Sequence, residues 1–155
     1  MTTLFFCLII NSVERKPMAI LVDANQIAIS HLMVLHKIEN GINIDSIRKS
    51  IVRVMGRIDK KFRDEYGQMI LCYDDKNYWR REVFPFYKKN RKQERETSKY
   101  DWDKVFSVLN KIRDELKENF PYQVIQSQGA EADDVMFNED LIYDGKVVKS
   151  YKGDG

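Results

Sequence analysis

Three short apolar runs in this chain each lead into carboxylates. Ala19-Ile20-Leu21-Val22 ends at Asp23, and Met69-Ile70-Leu71-Cys72-Tyr73 ends at Asp74-Asp75. The run from Tyr122 to Ile125 leads into Glu131-Ala132-Asp133-Asp134. Carboxylates gathered in one place repel one another unless they are protonated or neutralised by a cation. With no histidine or cysteine among them the donors are all oxygen, a set that favours Mg²⁺ or Mn²⁺ over zinc. Magnesium held by carboxylates is the usual partner of phosphate esters, and two such ions about 4 Å apart can activate water and stabilise a leaving oxygen. Each acid also has a plainer use. An aspartate at a strand end commonly caps a loop or turn, and acids in a first helical turn are favoured by the helix dipole. That dipole accounts for one or two of Glu131, Asp133 and Asp134. Three acid-bearing strand ends with a paired Asp-Asp at a helix start are less readily a coincidence.

A second chemistry-bearing segment lies between the second and third runs. From Lys76 to Lys99 there are nine Lys or Arg against three Glu, a local charge of +6 in a chain of net +2, so the remainder sums to −4. The segment contains Tyr78-Trp79-Arg80-Arg81 and Phe86-Tyr87-Lys88-Lys89-Asn90-Arg91-Lys92. Arg and Lys neutralise phosphates and aromatic rings stack on unpaired bases, so the mixture suits a single strand or a strand end. A solvated charged helix explains the cations equally simply. The aromatic residues taken alone could be core, but so many cations exclude a wholly buried role.

The elements that must position these groups follow from periodicity. The three apolar runs are short enough for buried strands. Ile27 to Ile38 is predicted as a helix, broken at Asn40-Gly41. A second helix, capped by Asn43 or Asp45, carries Ile47, Ile51, Val54, Met55, Ile58 and Phe62 on one face and stops at Gly67. Asp101 caps a third, carrying Val105, Phe106, Leu109, Ile112 and Leu116, which Pro121 bars from continuing. Glu131 to Asp134 opens a further helix, and Val147-Val148 is a candidate fourth strand. Strand and helix alternate, which predicts an α/β fold with a mostly parallel sheet and helices on both faces. In such sheets the carboxyl ends of the strands line the ligand crevice, so neighbouring strands would bring the acids to one rim.

At 155 residues, 43% hydrophobic and 32% charged, the composition is that of one soluble globular domain. Cys7 and Cys72 offer neither zinc spacing nor a disulfide framework, and a reducing cytoplasmic home is expected. The apolar run Leu4 to Ile10 is too short to span a bilayer, so no membrane association is expected. Residues 1–17 read as an N-terminal extension, with a weak signal peptide as the alternative. Residues 18–155 then form the domain proper, with residues 76–99 as a basic excursion.

In this order the motifs resemble those of the flap-type 5′-nucleases, the family that includes the phage ribonucleases H. Ile20-Leu21-Val22-Asp23 with Gln26-Ile27-Ala28 is similar to its first acidic motif. Leu71-Cys72-Tyr73-Asp74, followed by Tyr78-Trp79-Arg80-Arg81 and Tyr87-Lys88-Lys89-Asn90-Arg91, is similar to the second and to the arch beyond it. Glu131-Ala132-Asp133-Asp134 is similar to the third, and the resemblance runs from about Met18 to Asp134. It implies a PIN-like three-layer fold and two Mg²⁺ (or Mn²⁺) ions. It further implies 5′-to-3′ removal of RNA primers from RNA–DNA hybrids, with exonuclease and flap activity on DNA during phage replication. By matched position, Asp23, Asp74, Glu131, Asp133 and Asp134 would be metal carboxylates, with Asp23, Asp74 and Asp133 catalytic. Arg80 and Lys88 would face the scissile phosphate, and Tyr78, Arg80, Arg81, Lys88, Lys89 and Arg91 would bind nucleic acid. DNA, RNA–DNA hybrids with 5′ ends or flaps, and replication proteins are the implied partners of a monomer.

Beyond Asp134 the pattern departs. The family continues with an apolar helix and a strand ending in Asp-Gly-Asp; here Asn138-Glu139-Asp140 falls where that helix should be apolar, and Lys152-Gly153-Asp154-Gly155 matches the strand motif only in part. The fold is therefore expected to be incomplete at its C-terminus, with a partial first metal site, a nearly empty second one and weak or no turnover. The rival is a binding module that grips nucleic acid through the same cations without cleaving it.

Overall fold

The computed structural model describes residues 8–9, 19–77, 79–84, 86, 88–137, 142–143 and 146–147. Its principal sheet has the order β1-β2-β3-β4, formed by Leu8–Ile9, Ala19–Asp23, Gln68–Tyr73 and Gln123–Gln126. β2, β3 and β4 run parallel, with Val22 opposite Leu71 and Cys72 opposite Ile125. β1 is the antiparallel edge strand, Leu8 opposite Leu21, so these two residues of the expected N-terminal extension belong to the sheet.

Side chains alternate across a strand, and here the alternation divides the core in two. Ile20, Val22, Met69, Leu71 and Tyr73 face α1 (Ala24–Glu39), α2 (Ile44–Tyr66) and α5 (Trp102–Asn119). Leu21, Ile70, Cys72 and Ile125 face the other way, against α6 (Ala132–Phe137). Both crossovers, β2 to β3 and β3 to β4, step in the same direction across the sheet. Parallel crossovers are right-handed, so the helices of both must lie on one face. The helix that leaves β4 then covers the opposite face, and helices on both sides result as expected.

The helix ends follow their side chains. The Asp23 carboxylate accepts the Gln26 N–H at 3.1 Å, so α1 starts at Ala24, three residues before the apolar pattern begins. Asn43 caps α2 by accepting the Asp45 and Ser46 amides, and Asp101 caps α5 by accepting the Lys104 amide. Asn40 ends α1 in the left-handed conformation that asparagine tolerates. The basic excursion forms α3 (Trp79–Val83) and α4 (Lys89–Thr97). The candidate fourth strand at Val147-Val148 is represented by Lys146–Val147, which pairs antiparallel with Ile142–Tyr143 in a separate two-stranded sheet. Two consecutive short strands close a local hairpin at less entropic cost than a crossover. Val148 and the tail motif 152–155 lie outside the described residues, as do Asn138-Glu139-Asp140, Tyr78, Tyr87 and the side chain of Arg81. Among the described residues no helix is long and apolar enough to cross a membrane.

Candidate metal and phosphate site

Strand parity decides where the first two acids go. Asp23 is two residues beyond Leu21, and Asp74 two beyond Cys72, so both continue the series that faces α6. The sheet register sets Asp23 opposite Cys72, adjacent to the end of β3. Asp74 Oδ1 accepts the Ala132 amide at 2.7 Å, which ties the end of β3 to the start of α6. Asp75, which drew no notice in the sequence beyond its place in the Asp-Asp pair, continues the tie. Its carboxylate accepts the Gly129 amide, its own amide bonds the Ala130 carbonyl, and the Gln126 side chain donates to the Asp74 carbonyl. An Asp-Asp pair at a strand end was the available signal.

The electrostatics of Asp23 show which groups share its surroundings. Burial pushes its carboxyl above the ordinary carboxylate range, the Gln26 amide opposes that, Asp74 and Asp133 push further up, and Lys88 pulls back. Asp74 and Asp133 thus each lie within reach of the field of Asp23, with the Lys88 ammonium nearby. Burial, followed by the charge of Asp23, also pushes the Cys72 thiol up to about 12. Cys72 is a packed thiol and not a nucleophile.

Glu131 and Asp134 point elsewhere. Arg80 donates to Asp134 through both terminal nitrogens, at 2.5 and 2.8 Å, and to Glu131 Oε2 at 2.6 Å. Lys88 closes on Glu131 Oε1. Arg80 and Lys88, expected to face a phosphate, are held against the two acids of the Glu-Ala-Asp-Asp motif that were expected to face a metal. The reason is helical geometry: neighbouring positions on a helix are about 100° apart, so Asp133 and Asp134 cannot serve the same side. Asp133 is exposed toward the Asp23 and Asp74 rim, whereas Asp134 and Glu131 turn toward α3.

Among the described residues, no three His, Cys, Asp or Glu side chains stand close enough together to hold one ion as they are placed. The donor chemistry of Asp23, Asp74 and Asp133 still suits a hard divalent cation. All three are carboxylates, and a cation would offset the charges of Asp74 and Asp133, which add to the effect of burial on Asp23. Glu131 and Asp134 do not fit that role in this arrangement, because their oxygens are already engaged by cations.

The rest of the excursion is laid over the surface. Phe84 is 58% and Phe86 79% exposed, which removes the core reading for both. The Lys89 ammonium lies 5.1 Å from the Phe86 ring centre. Arg91 and Lys89 are exposed on α4. The far end of α4 is anchored: Arg95 stacks over Trp102 and Phe106 at 5.4 and 5.2 Å, and Trp102 donates to the Ser98 hydroxyl at 2.6 Å.

A parallel α/β sheet with acids at its carboxyl rim and a basic helical excursion after its second parallel strand is the architecture of the PIN-like nucleases. No family model matches the chain. Over 117 residues, 74% of its length, it is 38% identical to the ribonuclease H of Enterobacteria phage T4, of which those residues span 38%. The chain is a relative of that T4-like phage ribonuclease H, and it covers well under half of that protein's length.

Proposed function

We propose that the chain carries the first metal site and the phosphate-binding arch of a metal-dependent 5′-to-3′ nuclease. Its substrates are 5′ ends or flaps of DNA and RNA primers in RNA–DNA hybrids, in the cytoplasm of a phage-infected cell. The observation that supports this best is the shared rim of Asp23, Asp74 and Asp133 beside Lys88, in a chain related to a ribonuclease H.

In this reading Asp23, Asp74 and Asp133 would hold Mg²⁺ or Mn²⁺, which when bound lowers the pKa of a coordinated water and polarises the phosphate. The protein's own residues supply position. Asp23 and Asp74 are fixed by the amides they accept, Gln26 and Ala132, so their free oxygens keep one orientation. Lys88 and Arg80 border the rim, where a phosphodiester would lie between the acids and the arch. Lys89 and Arg91 follow the sugar-phosphate backbone away from it, and the exposed Phe84 and Phe86 rings offer faces for unpaired bases.

One observation favours a second reading, a non-catalytic nucleic-acid-binding module: Arg80 and Lys88 already neutralise Glu131 and Asp134, which leaves fewer acids for metal. The test incubates a 5′-labelled RNA–DNA hybrid or flap with the purified chain and Mg²⁺ or Mn²⁺. Short 5′ products abolished by Asp133→Asn support the nuclease. Tight binding without products, unchanged by either ion, supports the module.

A further inference from the structure

Four donors converge on the Asp134 carboxylate: the two Arg80 terminal nitrogens, the Trp79 indole N–H at 3.3 Å and the Glu131 amide at 2.9 Å. A carboxylate offers about four acceptor positions; three of these donors crowd onto Asp134 Oδ2 and Arg80 holds Oδ1 as well, so a metal ion would compete with the guanidinium at either oxygen. The Glu131 amide bond is one half of a capping box, with Asp134 at the third helical position reaching back to the residue that precedes α6. A capping box alone would need neither the guanidinium nor the indole. Both come from α3, and Arg80 is in turn stacked on the Trp79 ring at 4.9 Å. Asp134 therefore joins the third acidic motif to the root of the arch, 54 residues away in sequence.

A second feature sits at the other root. Lys88 adopts a left-handed backbone, φ 53°, at the residue before α4. Such a conformation is unfavourable for a residue with a Cβ and persists where the surroundings hold it. The Lys88 ammonium is bound by Glu131, which itself shares Arg80 with Asp134. The two acids and two cations form one network that spans both arch helices.

We infer that Asp134 is a positioning residue and not a metal ligand: it fixes Arg80, and through Glu131 also Lys88, at the foot of the arch so that both cations meet the nucleic-acid backbone pre-ordered. This rests on the reading that residues 79–91 bind nucleic acid. Pre-ordering lowers the side-chain entropy lost on binding. A bidentate guanidinium also has a geometry that a point-charge lysine lacks.

The experiment measures three quantities on the full chain for wild type, Asp134→Asn and Arg80→Lys. These are Mn²⁺ affinity by electron paramagnetic resonance, binding of a fluorescent 5′-flap oligonucleotide without metal, and guanidinium NMR signals of Arg80. For Asp134→Asn the expected result is Mn²⁺ affinity within twofold of wild type, oligonucleotide affinity about tenfold weaker, and a guanidinium that rotates faster than in wild type, with Glu131 and the Trp79 ring still holding it. Arg80→Lys, which keeps the charge and has the smaller risk of misfolding, should bind the oligonucleotide nearly as weakly. A tenfold loss of Mn²⁺ affinity in Asp134→Asn would make Asp134 a ligand and overturn the assignment. Unchanged oligonucleotide binding in either variant would overturn it too, by reducing the network to a helix cap. Failure of the wild-type chain to bind the oligonucleotide would count against the nucleic-acid reading itself. In that case a wild-type Arg80 that rotates as freely as in Asp134→Asn would still sink the positioning claim.

Discussion

Removing the Arg80 guanidinium is the sharpest test of the ion-pair network, because a second arginine pair in the molecule, with more exposed acids, serves as its comparison. The Asp134 and Glu131 side chains are only 7% and 5% exposed, and Arg80 26%. At the junction of α2 and α5, Arg48 meets Glu115 through two donors at 2.6 and 3.0 Å, but these side chains are 31% and 29% exposed. Breaking a buried pair by deleting one partner typically costs about 3–5 kcal/mol, because the other charge is left without compensation. Lys88 still neutralises part of Glu131, and Arg80 is partly solvated, so Arg80→Ala is placed at the low end, about 3 kcal/mol. For a domain of this size each kcal/mol lowers Tm by about 2–4 °C, which gives a drop of roughly 6–12 °C. Arg48→Ala, by the same bookkeeping for a half-exposed pair, costs about 1 kcal/mol or less. The assay is thermal and urea unfolding followed by circular dichroism at pH 7, with both variants beside wild type. Equal, small losses in the two variants would refute the reasoning, since burial would then not distinguish the pairs.

Asp23→Asn should alter the pH dependence of stability. A carboxyl raised above its unfolded value of 3.8 contributes stability that is present below that value and lost as pH rises through the folded one. The asparagine, still able to cap α1, should therefore flatten the decline expected in the urea midpoints of ion-free protein as pH rises above 3.8; an unaltered profile would discard the claim. Oligonucleotide binding should weaken with salt at a log–log slope of about −0.7 to −0.9 per phosphate contact, and Lys89→Ala with Arg91→Ala should each make the slope shallower by about one contact. If affinity and slope stay constant in both, α4 is only a solvated face. Phe86→Ala should leave Tm unchanged, given its exposure, yet weaken single-strand binding by about 1–3 kcal/mol if a base stacks there, and anisotropy titration with duplex and single strand separates the two.

Most of the scaffold could be read from local pattern because local chemistry determines it. Asn43, Asp101 and Gly67 stand at helix ends as expected, and the apolar stripes of α2 and α5 belong to the core beside β2 and β3, except Phe106, which lies under Arg95. The beginning of α1 was less legible. Asn25 and Gln26 are polar and Ala24, although it shares the buried face with Ile27, Ala28 and Leu32, is a weak apolar signal, so the Asp23 cap is the clearer mark of the start. The rim of Asp23, Asp74 and Asp133 was legible because strand ends and helix starts position side chains by parity. The engagement of Glu131 and Asp134 by Arg80 and Lys88 was not: partners 43 to 54 residues apart are chosen by tertiary packing, which no spacing records. Phe84 and Phe86 were ambiguous for a similar reason, since an aromatic residue in a basic segment reads the same whether it packs or projects.

If Asp23, Asp74 and Asp133 hold a divalent cation as proposed, Mn²⁺ titration of the ion-free chain by electron paramagnetic resonance or calorimetry will detect it. Wild type should bind Mn²⁺ at neutral pH in competition with Mg²⁺, and Asp23→Asn and Asp133→Asn should each weaken binding at least about tenfold, or about 1.4 kcal/mol. Mn²⁺ affinity that is absent, or indifferent to both substitutions, would contradict the account.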